Sequence, residues 1–252
     1  MIKLFFALLF IIGLTSCNGS SSTKVDKVAS SIPTTGAGTN SAEPFDLSFI
    51  LNNVDGSNLT TYNHADQSLG EDVGGVNTRY TVVVASSANS TVAGTVSSAT
   101  IAGVTADIRV QNTSDNVTCA VLTADTTGLG AIGTINITYS RLSAASSIGI
   151  YRLINPSSII PDATIEDIVD ASGLIDVSLA VSAGGGSVSG SSQLNGGSNT
   201  WVGASEVYDV VQEAVMDFSG ALNFTSGAPQ TITTQSLDTT PVHMTGCSAS
   251  WH

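Results

Sequence analysis

The sequence predicts an all-β fold, a single β-sandwich or jelly-roll-like domain over residues 45–252, on three observations. Apolar residues recur at period two in short runs. The breaks between runs are rich in Gly, Ser, Asn and Asp. Thr and Val are abundant where Leu is sparse, a composition that suits a pleated surface better than a helix. Neither βαβ spacing nor a repeat of fixed period accompanies them. With 42% hydrophobic and 11% charged residues, the chain has the apolar content to form a packed core.

The first run sets the pattern. Phe45, Leu47, Phe49 and Leu51 face one way, with Asp46, Ser48 and Asn52 opposite, and Asn52–Gly56 reads as a turn. Further strands are expected at 79–85, 95–103, 107–111, 117–123, 132–140, 148–154, 174–181, 218–225, 231–235 and 242–251. Gly184-Gly185-Gly186 has neither the lysine of a phosphate loop nor a dinucleotide fingerprint, and reads as a flexible hairpin between Ser-rich strands. Two segments break the pattern. Val207, Val210, Val211, Ala214 and Val215 recur at helical spacing behind Ser205, an N-cap type, which predicts a short helix at 206–215. A second is expected at 162–171, with Ile165, Ile168 and Val169 on one face and Gly173 as the stop.

Ahead of this domain, Lys3 and the apolar run Leu4–Leu14 form a short secretory h-region, too short to span a bilayer as a helix. It ends in Leu14-Thr15-Ser16-Cys17. This stretch resembles the lipobox of bacterial lipoproteins, which implies cleavage after residue 16 and acylation of the Cys17 thiol. Asn18, in place of aspartate, resembles the outer-membrane-directed members of that family. The expected location is therefore the bacterial cell envelope, lipid-anchored, after general export. Residues 17–44 form the acylated cysteine and a Ser/Thr/Gly-rich tether, with a coil dimension of roughly 30 Å and an extended limit of about 90 Å.

A second resemblance rests on Ile148-Gly149-Ile150-Tyr151-Arg152-Leu153, Thr200–Asp209 and Ser248-Ala249-Ser250-Trp251. Over about 75–252 these are similar to a poorly characterised β-sandwich domain of phage structural and bacterial surface proteins. What that implies is an exposed adhesive or structural module, with no catalytic residues to carry over.

Charge narrows the partners. From residue 45 onward eighteen acidic residues face four arginines and no lysine. Binding to a phosphate backbone needs clustered cations, so nucleic acid is not an expected partner. The membrane is expected to be met through the lipid anchor only. Once Cys17 is assigned to the lipobox, Cys119 and Cys247 remain as an even pair in an oxidising compartment. Each shares a strand face with apolar neighbours, so the two are expected to form a disulfide, with two buried free thiols as the alternative.

Catalytic signatures are sparse. None of His64, His243 and His252 has a second histidine at metal-ligand spacing, and no Gly-x-Ser-x-Gly elbow occurs. No resident cofactor is expected. Calcium is the one possible ion, with Asp55, Glu71 and Asp72 as candidate ligands and Glu166-Asp167-Asp170 as a further acidic run, though none matches an EF-hand loop. Trp201, Tyr208 and Tyr62 lie in polar, turn-like surroundings and are candidates to stack on sugar rings; Trp201 also reads as a core residue at a strand end. The expected function is a non-catalytic sandwich displayed on the surface for binding or adhesion to a glycan or protein ligand. A structural component of the cell surface or of a phage particle is the alternative, and an envelope hydrolase using scattered Ser, His and Asp is the third reading.

Overall fold

The computed structural model describes residues 42–169, 173–195, 197–212, 216–224, 229–237 and 243–252. The expected signal, Cys17 and the expected tether to residue 41 lie outside the described residues, as do Asp170 and Glu213. Nineteen strands make up the regular structure of the described residues. They begin with β1 (Asp46–Asp55), β2 (Leu59–Ser68), β3 (Arg79–Ala88), β4 (Val96–Ile101), β5 (Val104–Thr105) and β6 (Asp107–Ser114). Next come β7 (Val117–Asp125), β8 (Ile132–Ser143), β9 (Ala145–Ile154), β10 (Ala163–Ile168), β11 (Leu174–Asp176) and β12 (Leu179–Ala180). The series closes with β13 (Gly186–Leu194), β14 (Asn199–Val202), β15 (Ser205–Gln212), β16 (Met216–Phe224), β17 (Pro229–Gln230), β18 (Thr233–Ser236) and β19 (His243–Trp251).

Every pairing is antiparallel, and the strands group into stacked sheets, so the molecule is an all-β sandwich. The central sheet runs β1-β9-β3-β7-β6. Its inner strands carry near-continuous apolar and small residues, as strands covered on both faces must. On one face Val83, Ala85, Leu122, Ile148 and Ile150 meet Tyr62, Ile101, Ile135, Ile137 and Tyr139 of the sheet β2-β8-β4-β5. On the other face Val82, Val84, Cys119, Val121, Tyr151 and Leu153 meet Val188, Tyr208, Cys247, Ala249 and Trp251 of the sheet β10-β19-β13-β16-β15. Each fully buried aliphatic side chain in these layers contributes roughly 1.5–3 kcal/mol.

The far face of that third sheet is buried but polar. Ser187, Ser189, Ser191 and Gln193 alternate along β13, beside Asp217 and Ser219 of β16 and Ser248 and Ser250 of β19. Small sheets β11-β18-β14 and β12-β17 lie on it, with Ile175, Val177, Leu179, Ile232 and Met244 as their own apolar cluster. Hydroxyls offset the desolvation: Ser189 Oγ and Ser248 Oγ lie 2.8 Å apart, and Ser250 Oγ donates to the Ala180 carbonyl at 2.8 Å. The structure also joins Cys119 of β7 to Cys247 of β19 by a disulfide, with Cα atoms 5.8 Å apart, linking the central sheet to the third.

Neither expected helix forms within the described residues. The segment expected as a helix at 206–215 is strand β15 over its described part, with 213–215 outside the described residues. A bulge between Glu206 and Tyr208 lets Val207, Tyr208 and Val210 all reach the inner face, and that irregularity imitates a helical period. The expected helix at 162–171 is β10, where Ala163 and Ile165 turn inward at period two and Ile168 is exposed. Among the described residues no helix is long and apolar enough to cross a membrane. The Gly184–Gly186 run is a tight turn that ends where β13 begins, with Gly184 at φ 76°.

Candidate functional site

The three aromatic candidates do not meet, and two of them are core. Tyr62 is buried against Tyr139 in an edge-on contact, its hydroxyl donating to the Ser143 carbonyl at 2.6 Å. Tyr208 is stacked on Phe49 between the central and third sheets. The polar residues around both are the outward half of alternating strands, which is why the sequence placed these rings at the surface. Trp201 is half-buried and donates its indole N–H to Ser219 Oγ at 2.5 Å. An aromatic platform for sugars is therefore not assembled from these residues.

The acidic candidates are also dispersed. Asp55 ends β1 and accepts from the Ser57 amide at 2.8 Å, while Glu71 and Asp72 are exposed between β2 and β3. Asp167 accepts from the Asp176 amide at 2.8 Å. Among the described residues no group of three or more His, Cys, Asp or Glu side chains converges on a metal position.

A cleft of about 540 Å³ opens where the β1–β2 turn, the loop after β3 and the end of β8 come together. Its lining includes Asn58, Ser90, Thr91, Val92, Arg141 and Leu142. Local hydrogen bonds fix the loop. Asn89 Oδ1 accepts from both the amide and the hydroxyl of Thr91, at 2.9 and 3.0 Å. Asn116 Nδ2 donates to the carbonyls of Asn89 and Thr91, each at 2.9 Å. Gly94 lets the loop pass tightly over β8: a Cβ there would lie 2.5 Å from the Arg141 amide nitrogen.

Arg141 distinguishes the cleft. Arg109 pairs with Asp107 at 2.8 Å and Arg152 with Asp46 at 3.1 Å. Arg79 is fully buried and donates to the carbonyls of Gly70, Thr126, Leu129 and Gly130. Arg141 is exposed and makes no ion pair with the described residues. A guanidinium flanked by amides, hydroxyls and the apolar side chains of Val92 and Leu142, each 46% exposed, suits a ligand with a carboxylate and several hydroxyls. Sequence reasoning missed it. The available signal was an arginine in Ser140-Arg141-Leu142 with no acid within reach along its own strand.

The histidines separate. His64 is buried beside Tyr62, its Nδ1 2.8 Å from Asn53 Oδ1, and burial lowers its pKa to about 4. His243 Nδ1 lies 3.2 Å from Asp115 Oδ2. His252 is different: its Nε2 lies 3.3 Å from Ser157 Oγ and its Nδ1 2.6 Å from Asp162 Oδ2. That is the connectivity of a Ser-His-Asp relay. It lies open to water, with the side chains of His252 and Asp162 46% and 24% exposed.

The fold and site together define an all-β sandwich with a polar, arginine-bearing cleft at one edge of its stacked sheets. No protein-family model matches the chain, and neither a curated protein nor a solved structure matches it.

Proposed function

We propose that this protein is a lipid-anchored binding module of the bacterial cell surface, whose cleft around Arg141 takes an acidic glycan or a carboxylate of a protein ligand. The observation that carries the reading is the Arg141 guanidinium, which has no ion pair among the described residues and is exposed in a preformed cleft of a domain where acids outnumber arginines more than fourfold. A charged hydrogen bond of this kind is worth about 1.5–3 kcal/mol. Arg141→Gln should therefore weaken binding to a panel of uronate- and nonulosonate-bearing glycans by roughly 10- to 100-fold. Binding that is indifferent to Arg141→Gln would remove the cleft from the account. Anchoring through Cys17 predicts that Cys17→Ala shifts the protein from the membrane to the soluble fraction. A role as a structural component of the cell surface or a phage particle predicts ligand-free self-assembly instead, visible as large species in sedimentation.

One observation favours a second reading, an envelope hydrolase. In the Ser157–His252–Asp162 relay, Ser157 Oγ would attack an acyl carbon as its proton passes to His252 Nε2. The imidazolium, oriented by Asp162, would give that proton to the departing group as its bond to the acyl carbon breaks, and water would then release the acyl-serine. Exposure of the relay to water weakens such a site. Labelling of Ser157 by a fluorophosphonate, lost in both Ser157→Ala and His252→Ala, would support hydrolysis. Absence of labelling in the wild type would end this reading.

A further inference from the structure

On the polar face between the third sheet and the strands that cover it, several buried oxygens lack a partner, among them Ser187 Oγ and Ser191 Oγ, and the charged ones gather around Asp217. Asp217 on β16 is fully buried, and its Oδ2 accepts from Gln193 Nε2 at 2.7 Å and from Asn199 Nδ2 at 2.8 Å. The Asp209 carboxyl, half-buried on β15, lies within hydrogen-bonding reach of it. Asp209 Oδ2 also takes the Asn199 amide at 3.3 Å. Around this pair Asp217 Oδ1, Asp209 Oδ1, Gln193 Oε1 and Asn199 Oδ1 are all shielded from solvent and have no donor among the described residues. Gln193 and Asn199 are 0% and 3% exposed, so these are buried acceptors rather than surface groups waiting for water.

Two carboxylates and two amide groups with unpartnered oxygens share this buried region, and among the described residues no arginine pairs with the carboxylates. Leaving a buried acceptor without a donor forfeits its hydration with nothing in return, and the loss is largest for the charged ones. A single shared proton would still leave one negative charge in the well. A divalent cation would neutralise both carboxylates and could offer the unpartnered carboxylate and amide oxygens a partner. We propose that this well, formed by Asp209, Asp217, Gln193 and Asn199, binds a hard divalent cation, calcium, between β13, β14, β15 and β16. Calcium accepts mixed carboxylate and amide oxygens in irregular geometry, whereas magnesium demands an octahedron and parts with its waters reluctantly. Asp209 is the half-buried member of the set, while Asp217, Gln193 and Asn199 are buried. The site lies apart from the Asp55 and Glu71-Asp72 positions that the sequence suggested, and it does not depend on the ligand assigned to the Arg141 cleft.

Trp201 makes the ion observable. Its indole nitrogen bonds Ser219 Oγ, and Ser219 faces Asp209 in the β15–β16 register. Terbium, a calcium surrogate, should therefore give tryptophan-sensitised emission when added to the full chain, displaced by calcium. Calcium at tenfold its Kd should raise Tm by about 3–6 °C over chelator-treated protein. Asp217→Asn keeps the side-chain shape, removes the buried charge and is expected to fold. It should abolish both the emission and the calcium-dependent rise. Trp201→Phe should lose the emission while keeping the rise. Absence of any response to millimolar calcium would overturn the proposal and assign the pair a shared proton. A calcium response that survives Asp217→Asn would overturn it too, placing the ion at another acidic position.

Discussion

At the scale of single residues, two buried titratable groups pull the pH dependence of stability in opposite directions. Burial, together with a hydrogen bond from the protonated Asp217 to Asp209 and the Asp209 charge, raises Asp217 from 3.8 to about 9. In chelator the folded state thus holds a proton that the unfolded chain has released. The stability this gives is complete below pH 4 and is lost progressively as pH rises to about 9. His64 runs the other way, because burial lowers it from 6.5 to about 4. Its contribution is complete above pH 6.5 and is lost as pH falls toward 4. The two windows overlap, so the calcium-free wild type should be nearly level between pH 4 and 6.5 and decline above that. Chemical-denaturation midpoints across pH should show only the acid-side loss in Asp217→Asn, and only the alkaline-side loss in His64→Gln. A wild type that gains stability between pH 7 and 9 would contradict the Asp217 assignment, and a His64→Gln chain that still loses stability as pH falls from 6.5 to 4 would contradict that of His64. Neither group stood out in the sequence: His64 sits in a polar run, and Asp217 beside Phe218 reads as the outward half of an ordinary strand.

At the scale of elements, the sequence was most informative where one face of a strand meets the core and least where the strand departs from period two. The runs at 79–85, 117–123 and 148–154 became β3, β7 and β9 of the central sheet because uninterrupted β-branched and small residues suit a strand covered twice. β2 was missed because its inward residues, Tyr62 and His64, are polar in name yet buried in fact. β15 was misread because its bulge brings Val207 and Tyr208 to one face. That bulge is matched to glycines elsewhere: Gly149 on β9 and Gly220 on β16 lie against the Tyr208 ring, where an added Cβ would come within 2.4 and 2.2 Å of Cε1. Overpacking of this kind costs about 1–3 kcal/mol. Gly220→Ala should lower the denaturation midpoint accordingly, and Tyr208→Leu in the same chain should recover part of the loss. Because the residues touch, the two changes must be non-additive. Additive effects in the double-mutant cycle would mean the ring does not depend on the glycines. The Arg141 cleft was illegible for a different reason, since it joins residues 58, 89–92 and 141–144 only through sheet pairing.

At the scale of the whole molecule, the central sheet is held to the third by packing and by one covalent link. Layers that meet through small residues such as Gly190, Cys119 and Ala249 bury limited area per residue, so a cross-link between β7 and β19 has much to add. The linked cysteines are 128 residues apart, and closing a loop of that length in the unfolded chain is worth about 5 kcal/mol in the chain-entropy model. Most of that value lies in the denatured ensemble, which the link keeps compact. Two observables should therefore move together in the Cys119→Ala, Cys247→Ala double variant. Tm should fall by about 10–20 °C, and the dependence of unfolding free energy on urea should steepen as the released chain exposes more surface. A fall in Tm with an unchanged urea slope would place the effect in the native contacts of the two sheets. An unchanged Tm would mean that the apolar layers between β7 and β19 hold the sandwich without the bond.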